Sequence, residues 1–138
     1  MKFFKNEAKH KYLRELFTDD NIPFPYGERD YHGFDARDTF NMDNTLAMWL
    51  YENLRYFQDE ASKVVDFDSH EQVYDIDGEE LTQRQCIDRM VLDCAIILDN
   101  SNDITESIEE EMHHFNEKDA AKDDLFKVLS KVYWAMWW

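Results

Sequence analysis

Thr82-Gln83-Arg84-Gln85-Cys86-Ile87-Asp88-Arg89-Met90-Val91-Leu92-Asp93-Cys94-Ala95-Ile96-Ile97-Leu98 is the stretch whose reading decides the fold class. Thr82 and Gln85 stand at the spacing of a capping box, in which each side chain bonds the other residue's backbone N–H. After them Ile87, Met90, Val91, Cys94, Ile97 and Leu98 recur at helical spacing, so the stretch predicts a helix with one apolar face. Cys86 and Cys94 lie eight residues apart on that helix, a rise of roughly 12 Å that no disulfide spans. They are expected as free thiols in a reducing compartment, on or beside the buried face.

Outward from this helix the pattern stays mostly helical. Downstream, Asp103 and Glu106 form a second capping-box pair, followed by a narrow stripe of Ile104, Ile108, Met112 and Phe115 that predicts a surface helix. From Ala120 to Trp138, Leu125, Phe126, Val128, Leu129, Val132, Tyr133, Trp134, Met136 and Trp137 cover most of a helix circumference. That helix is central, or leaves an apolar face for a partner. Upstream, residues 64 to 81 alternate apolar and acidic side chains around Asp77-Gly78, which predicts a short acidic hairpin. A helix with Asn41 or Asp43 as N-cap runs to about Phe57, its expected buried stripe being Leu46, Ala47, Leu50, Leu54 and Phe57. A first amphipathic helix spans Phe3 to Phe17 on Phe4, Ala8, Tyr12 and Leu16, and a loop with Pro23, Pro25, Gly27 and Gly33 follows it. The reading is a mostly α protein: one compact helical domain over residues 1–138, with four to five helices and one short acidic β-hairpin.

Charge is the most unusual property. The chain carries 31 acids against 15 bases, a net charge of −16, where a small domain needs a magnitude of only about 2–8 for solubility. Two blocks, 59–80 and 99–124, each net −8 and together equal the whole excess. Such a surface repels nucleic acid and anionic lipid, so neither is expected as a direct partner. With no signal-like segment at Met1 and no apolar run near the roughly 20 residues a bilayer demands, a cytoplasmic protein is expected.

The sequence holds no Walker loop, Gly-x-Gly-x-x-Gly, Gly-x-Ser-x-Gly or Cys-x-x-Cys, and only three glycines, which argues against nucleotide enzymes. The metal candidate is Glu109-Glu110-Glu111-Met112-His113-His114. Its Glu110, His113 and His114 suit zinc, with Asp43 or Asp88 as completing ligand. Glu110-x-x-His113 also matches half of a di-iron helix motif. Ordinary surface Glu and His explain the same residues without a metal. Asp66-x-Asp68 and Asp75-x-Asp77-Gly78 are fragments of calcium loops without the closing Glu. Paired carboxylates Asp38/Asp43 and Asp88/Asp93 read as capping and exposed residues rather than an acid–base couple. The acidic blocks themselves make the stronger functional candidate. Asp66, Asp68, Glu71, Asp75, Asp77, Glu79 and Glu80, with Glu109 and Glu111, can copy the charge of a nucleic-acid backbone toward a cationic protein channel. Tyr133 to Trp138 would supply aromatic anchors.

Phe34-Asp35-Ala36-Arg37-Asp38-Thr39-Phe40-Asn41-Met42-Asp43, with Leu46-Ala47-Met48-Trp49-Leu50, Leu54-Arg55-Tyr56-Phe57, Ile87-Asp88-Arg89-Met90-Val91 and Asp124-Leu125-Phe126 through Trp137-Trp138, resembles a group of small acidic bacteriophage proteins. Those proteins carry an Asp-Thr-Trp-x-Leu-Asp phrase before a helix. This chain has Phe40 for the Trp, Met42 for the Leu, and Glu52 where the group often has proline. The resemblance implies a phage protein working in the cytoplasm of an infected bacterium, similar to type II-A anti-CRISPR inhibitors. Such a protein would be no enzyme, but a stoichiometric binder of a Cas9-type effector that blocks target DNA loading. Two other classes remain: a metal-dependent enzyme centred on Glu110 and His113, and a phage assembly or scaffolding adaptor that self-associates through its Trp-rich terminus.

Overall fold

The computed structural model describes residues 11–16, 42–99 and 107–137. Helices α1 (Leu13–Leu16), α2 (Met42–Ala61), α3 (Gln83–Leu98) and α4 (Ile108–Val132) account for most of them, with a 3-10 turn at Tyr133–Ala135. Strands β1 (Val73–Ile76) and β2 (Glu79–Thr82) form an antiparallel hairpin between α2 and α3.

The capping box forms as its spacing requires. Thr82 Oγ1 accepts the Gln85 N–H and Gln85 Oε1 accepts the Thr82 N–H, at 3.3 and 2.9 Å. Thr82 is also the last residue of β2, so strand passes into helix with no linker. α3 lies between α2 and α4, and its inward residues Cys86, Ile87, Met90, Cys94 and Leu98 form the middle of the core. Both cysteines are free and buried, as their spacing requires. α2 contributes Ala47, Met48, Leu50, Tyr51, Leu54 and Ala61, and α4 contributes Ala121, Leu125, Val128 and Val132. α1 docks on α2 through buried Tyr12, whose hydroxyl donates to Asp59, and through a paired Arg55–Glu15 contact at 2.6 and 3.1 Å.

Several expectations are corrected. The helices expected at Asp103–Phe115 and Ala120–Trp138 are one 25-residue helix, because nothing in Asn116-Glu117-Lys118-Asp119-Ala120-Ala121 breaks it. Only α2, α3 and α4 exceed a single turn among the described residues, so the extended helices number three rather than the four to five expected. Ser107 caps α4 as described, its side chain accepting the Glu110 N–H. Helix ends at Val132 rather than at Trp138. α2 runs on to Ala61, and its buried face includes Met48 and Tyr51 while Leu46 points outward. Residues 64–72 are loop, not strand; the hairpin begins at Val73. The rest of the Phe3–Phe17 helix, the Pro/Gly loop, the Phe34–Asn41 phrase with Asp38, and Asp103, Ile104 and Glu106 lie outside the described residues.

At the hairpin tip Asp77 and Gly78 have φ of 54° and 86°, the positive values that a two-residue type I′ turn requires. A methyl at Gly78 would meet no atom within 4 Å, so replacement is opposed by backbone conformation alone. Gly78→Ala is expected to cost about 1 kcal/mol in urea unfolding. A cost near zero would mean the turn relaxes to another type.

Candidate protein-interaction surface

The loop that follows α2 is held by one buried ring. Phe67 is buried against Phe57, ring centroids 5.5 Å apart, with the Arg84 guanidinium 5.8 Å from its centroid. Its carbonyl accepts the Arg84 N–H at 3.0 Å, which ties the loop to the first turn of α3. Local side-chain bonds shape the rest: Asp66 Oδ1 accepts the Asp68 N–H and Ser69 Oγ accepts the Glu71 N–H. Asp66, Asp68 and Glu71 are thereby exposed on an anchored loop.

The strand register sets Asp75 directly opposite Glu80 on the exposed side of the hairpin, and Ile76 opposite Glu79. Like charges directly opposite on one face destabilise a hairpin. Two of the acids meet internal cations. Asp68 takes the Arg84 Nε at 2.7 Å, and Asp77 takes the Lys127 ammonium at 2.9 Å and lies 4.0 Å from Arg89. Among the described residues Asp66, Glu71, Asp75, Glu79 and Glu80 have no salt-bridge partner.

Beside the loop stands an aromatic ledge. The Gln83 amide donates to the Ala135 carbonyl at 3.0 Å, holding the turn after α4 against the start of α3. Trp134, 87% exposed, stacks edge-on with Tyr133, and Trp137 is 71% exposed. With Val65, Gln72 and Gln83 these two tryptophans line a shallow cleft of about 140 Å³. The cleft thus has the acidic loop on one side and the two indoles on the other. Sequence spacing alone could not join Val65 and Gln72 to Trp134, and no local signal announces it.

Glu109 and Glu111 are exposed in the first turn of α4, where the helix dipole favours them. They lie apart from the hairpin: Lys127, which meets Asp77, is 17 residues along the helix from Glu110, a rise of about 25 Å. The proposed partner-binding acids therefore form two separate groups. The metal candidates also diverge. His113 Nε2 faces Glu117 at 3.1 Å, His114 Nε2 lies 3.8 Å from Glu110, and Asp43 sits in the first turn of α2, accepting the Asn44 N–H. Asp88 accepts from the Gln58 amide. Among the described residues no three His, Cys, Asp or Glu side chains converge as a metal-holding group.

No protein-family model matches this chain, and neither a curated protein nor a solved structure does.

The hairpin is fastened to the core by a charge network that the sequence reading missed. Arg89 makes a paired contact with Asp124, its Nε at 2.9 Å, and Asp124 stands beside Asp93. Asp93, expected at the surface, is only 6% exposed, with its Oδ2 making no hydrogen bond. Burial, then the neighbouring Asp124 carboxylate and its charge, push Asp93 up to about 8. Asp124 is held down to about 2, chiefly by Arg89. Burial beside the ionised Asp124 thus favours the protonated form of Asp93. Burial likewise pushes the Cys94 thiol up to about 12, which removes it as a nucleophile near neutrality. No described helix is long and apolar enough to cross a membrane.

Proposed function

We propose that this protein is an acidic, stoichiometric inhibitor that docks on the cationic nucleic-acid-binding surface of a host-defence enzyme. The carrying observation is the uncompensated Asp75/Glu80 cross-strand pair on the hairpin, with Asp66 and Glu71 on the adjoining loop whose Val65 and Gln72 share a cleft with exposed Trp134 and Trp137. A fold that leaves like charges face to face weakens its own hairpin, and a basic partner would relieve that cost. Exposed tryptophans at the rim of an acidic patch supply the buried anchors on which tight interfaces depend. Charge complementarity would bring fast, salt-sensitive association. The phage resemblance names a Cas9-type effector as the partner, with target DNA loading as the step blocked.

The test is cleavage of target DNA by guide-loaded Cas9 with increasing amounts of this protein, at low and at moderate salt. Inhibition should saturate near one equivalent and weaken as salt rises. Asp75→Lys with Glu80→Lys should relieve it by about tenfold or more, whereas Glu109→Lys with Glu111→Lys should not. Full cleavage at large excess across several Cas9 orthologues would overturn the proposal.

A second reading rests on His114, whose ring nitrogens are both shielded from solvent and make no hydrogen bond, beside Glu110. A zinc enzyme built there would bind one metal per chain by elemental analysis and lose it on His114→Ala.

A further inference from the structure

The first half of α4 has a problem that the fold as described leaves open. No residue from Ile108 to Ala120 is buried, and all four buried residues of the helix lie between Ala121 and Val132. Of this half, His114, Lys118 and Asp119 are half-buried and the His114 ring nitrogens are shielded, while the outward side meets no other described element, and a helix so thinly packed is marginal in water. Yet that half carries Ile108, Met112 and Phe115, 76, 60 and 66% exposed, at the i, i+4, i+7 spacing of a single stripe. Phe126, also exposed, stands three turns beyond Phe115 on the same line, opposite the side that faces α3. Tyr133 extends the line into the 3-10 turn.

We propose that a second copy of this chain docks antiparallel along this outer face of α4. The occupant is argued from the order of residues on the stripe, which matches its own reverse. Asp119 and Lys122 occupy its middle and pair with each other at 3.0 Å in one chain. A two-fold axis between them sets each Asp119 against Lys122 of the second copy. The same operation sets Phe115 against Phe126 and Ile108 against Tyr133, and brings Met112 to the edge of Leu129, which packs mainly on its own core. A two-fold interface demands this reciprocity, in which residue i meets j and j meets i. Charge points the same way. Glu109, Glu110 and Glu111 fill one end of the helix, while Lys131 stands near the other, where Lys127 already meets Asp77 of its own chain. Antiparallel pairing lays each acidic end beside a basic one and opposes the two helix dipoles; a parallel pairing would stack acids on acids.

Sedimentation velocity of the full chain across a wide concentration range tests the proposal. The expected result is a reversible species of twice the 16.7 kDa chain mass. Lys122→Glu sets a glutamate against Asp119 of the second copy, and Asp119→Lys sets a lysine against its Lys122. Because the axis repeats each contact, either variant alone should weaken dimerisation by about a hundredfold. An equimolar mixture of the two should restore it, since each variant then meets its complement. Phe115→Ala should also weaken association, with helix content by circular dichroism unchanged. A monomer at every concentration overturns the proposal. So does a dimer indifferent to these substitutions, or one that the mixture fails to restore.

Discussion

Lowering the pH from 8 to 5 is expected to raise the thermal stability of this protein, and Asp93→Asn is expected to remove that rise. The carboxyl of Asp93 titrates at about 8 in the fold against an ordinary value of 3.8. Between those values the folded chain holds a proton that the unfolded chain has released. Stability is therefore fully present below pH 4 and is lost as pH climbs toward 8, by at most about 1.4 kcal/mol per pH unit. Asp124 has the opposite sign, since its folded value is held at about 2. Its contribution is present above pH 4 and is lost only as pH falls below that, so the two windows do not overlap. The groups bearing on Asp93 are Asp124 from α4 and Arg89 on its own helix, with Asp77 and Lys127 acting through those two. Asparagine keeps the shape but cannot ionise. The variant should match the parent below pH 4 and exceed it by a few kcal/mol near pH 8. A parent with no slope above pH 5, or a variant with the parent's slope, would show that Asp93 is not the titrating group.

Phe67→Ala is expected to produce the largest loss of stability of any single substitution in the acidic loop, about 3–5 kcal/mol in urea unfolding. The ring is 1% exposed and fills the space between Phe57 and Arg84, so its removal leaves a cavity rather than a surface. The same change frees the backbone that presents Asp66, Asp68 and Glu71, because the Arg84 N–H to Phe67 carbonyl bond depends on that ring staying in place. Limited proteolysis should then cut within residues 62–72 before the helices. Val64→Ala, at an exposed position in the same loop, serves as control and should change stability by less than about 0.5 kcal/mol. A Phe67 variant as stable as that control would mean the loop is held by its Asx and hydroxyl turns alone.

How much of the candidate surface was legible follows from the range of the interactions that build it. The acids of the hairpin and of the 66–71 loop stand out in composition, and their exposure was expected. That Asp68 and Asp77 are internally neutralised was not, because Arg84 lies 16 residues from the first and Lys127 lies 50 from the second. That Trp134 and Trp137 border the acidic loop was equally hidden, since Val65 and Trp134 approach only after α3 and α4 have packed. Asp93 was misplaced for a related reason. It falls beside the apolar face of α3, and only the arrival of Asp124 on α4 supplies the partner that lets a carboxyl be buried.

What the sequence alone determined were the elements held by contacts within a few residues. They include the Thr82/Gln85 capping box, the Asp77-Gly78 turn, the helical periodicity of α3, and the free state of Cys86 and Cys94. Local geometry suffices for these, because donor, acceptor and φ are set by near neighbours. Only the tertiary structure decided that Asp93 is buried beside Asp124 and that the acidic loop shares a cleft with the exposed tryptophans. Each of those depends on which faces meet across long stretches of chain, and side-chain spacing along a single segment carries no information about the segment that will pack against it.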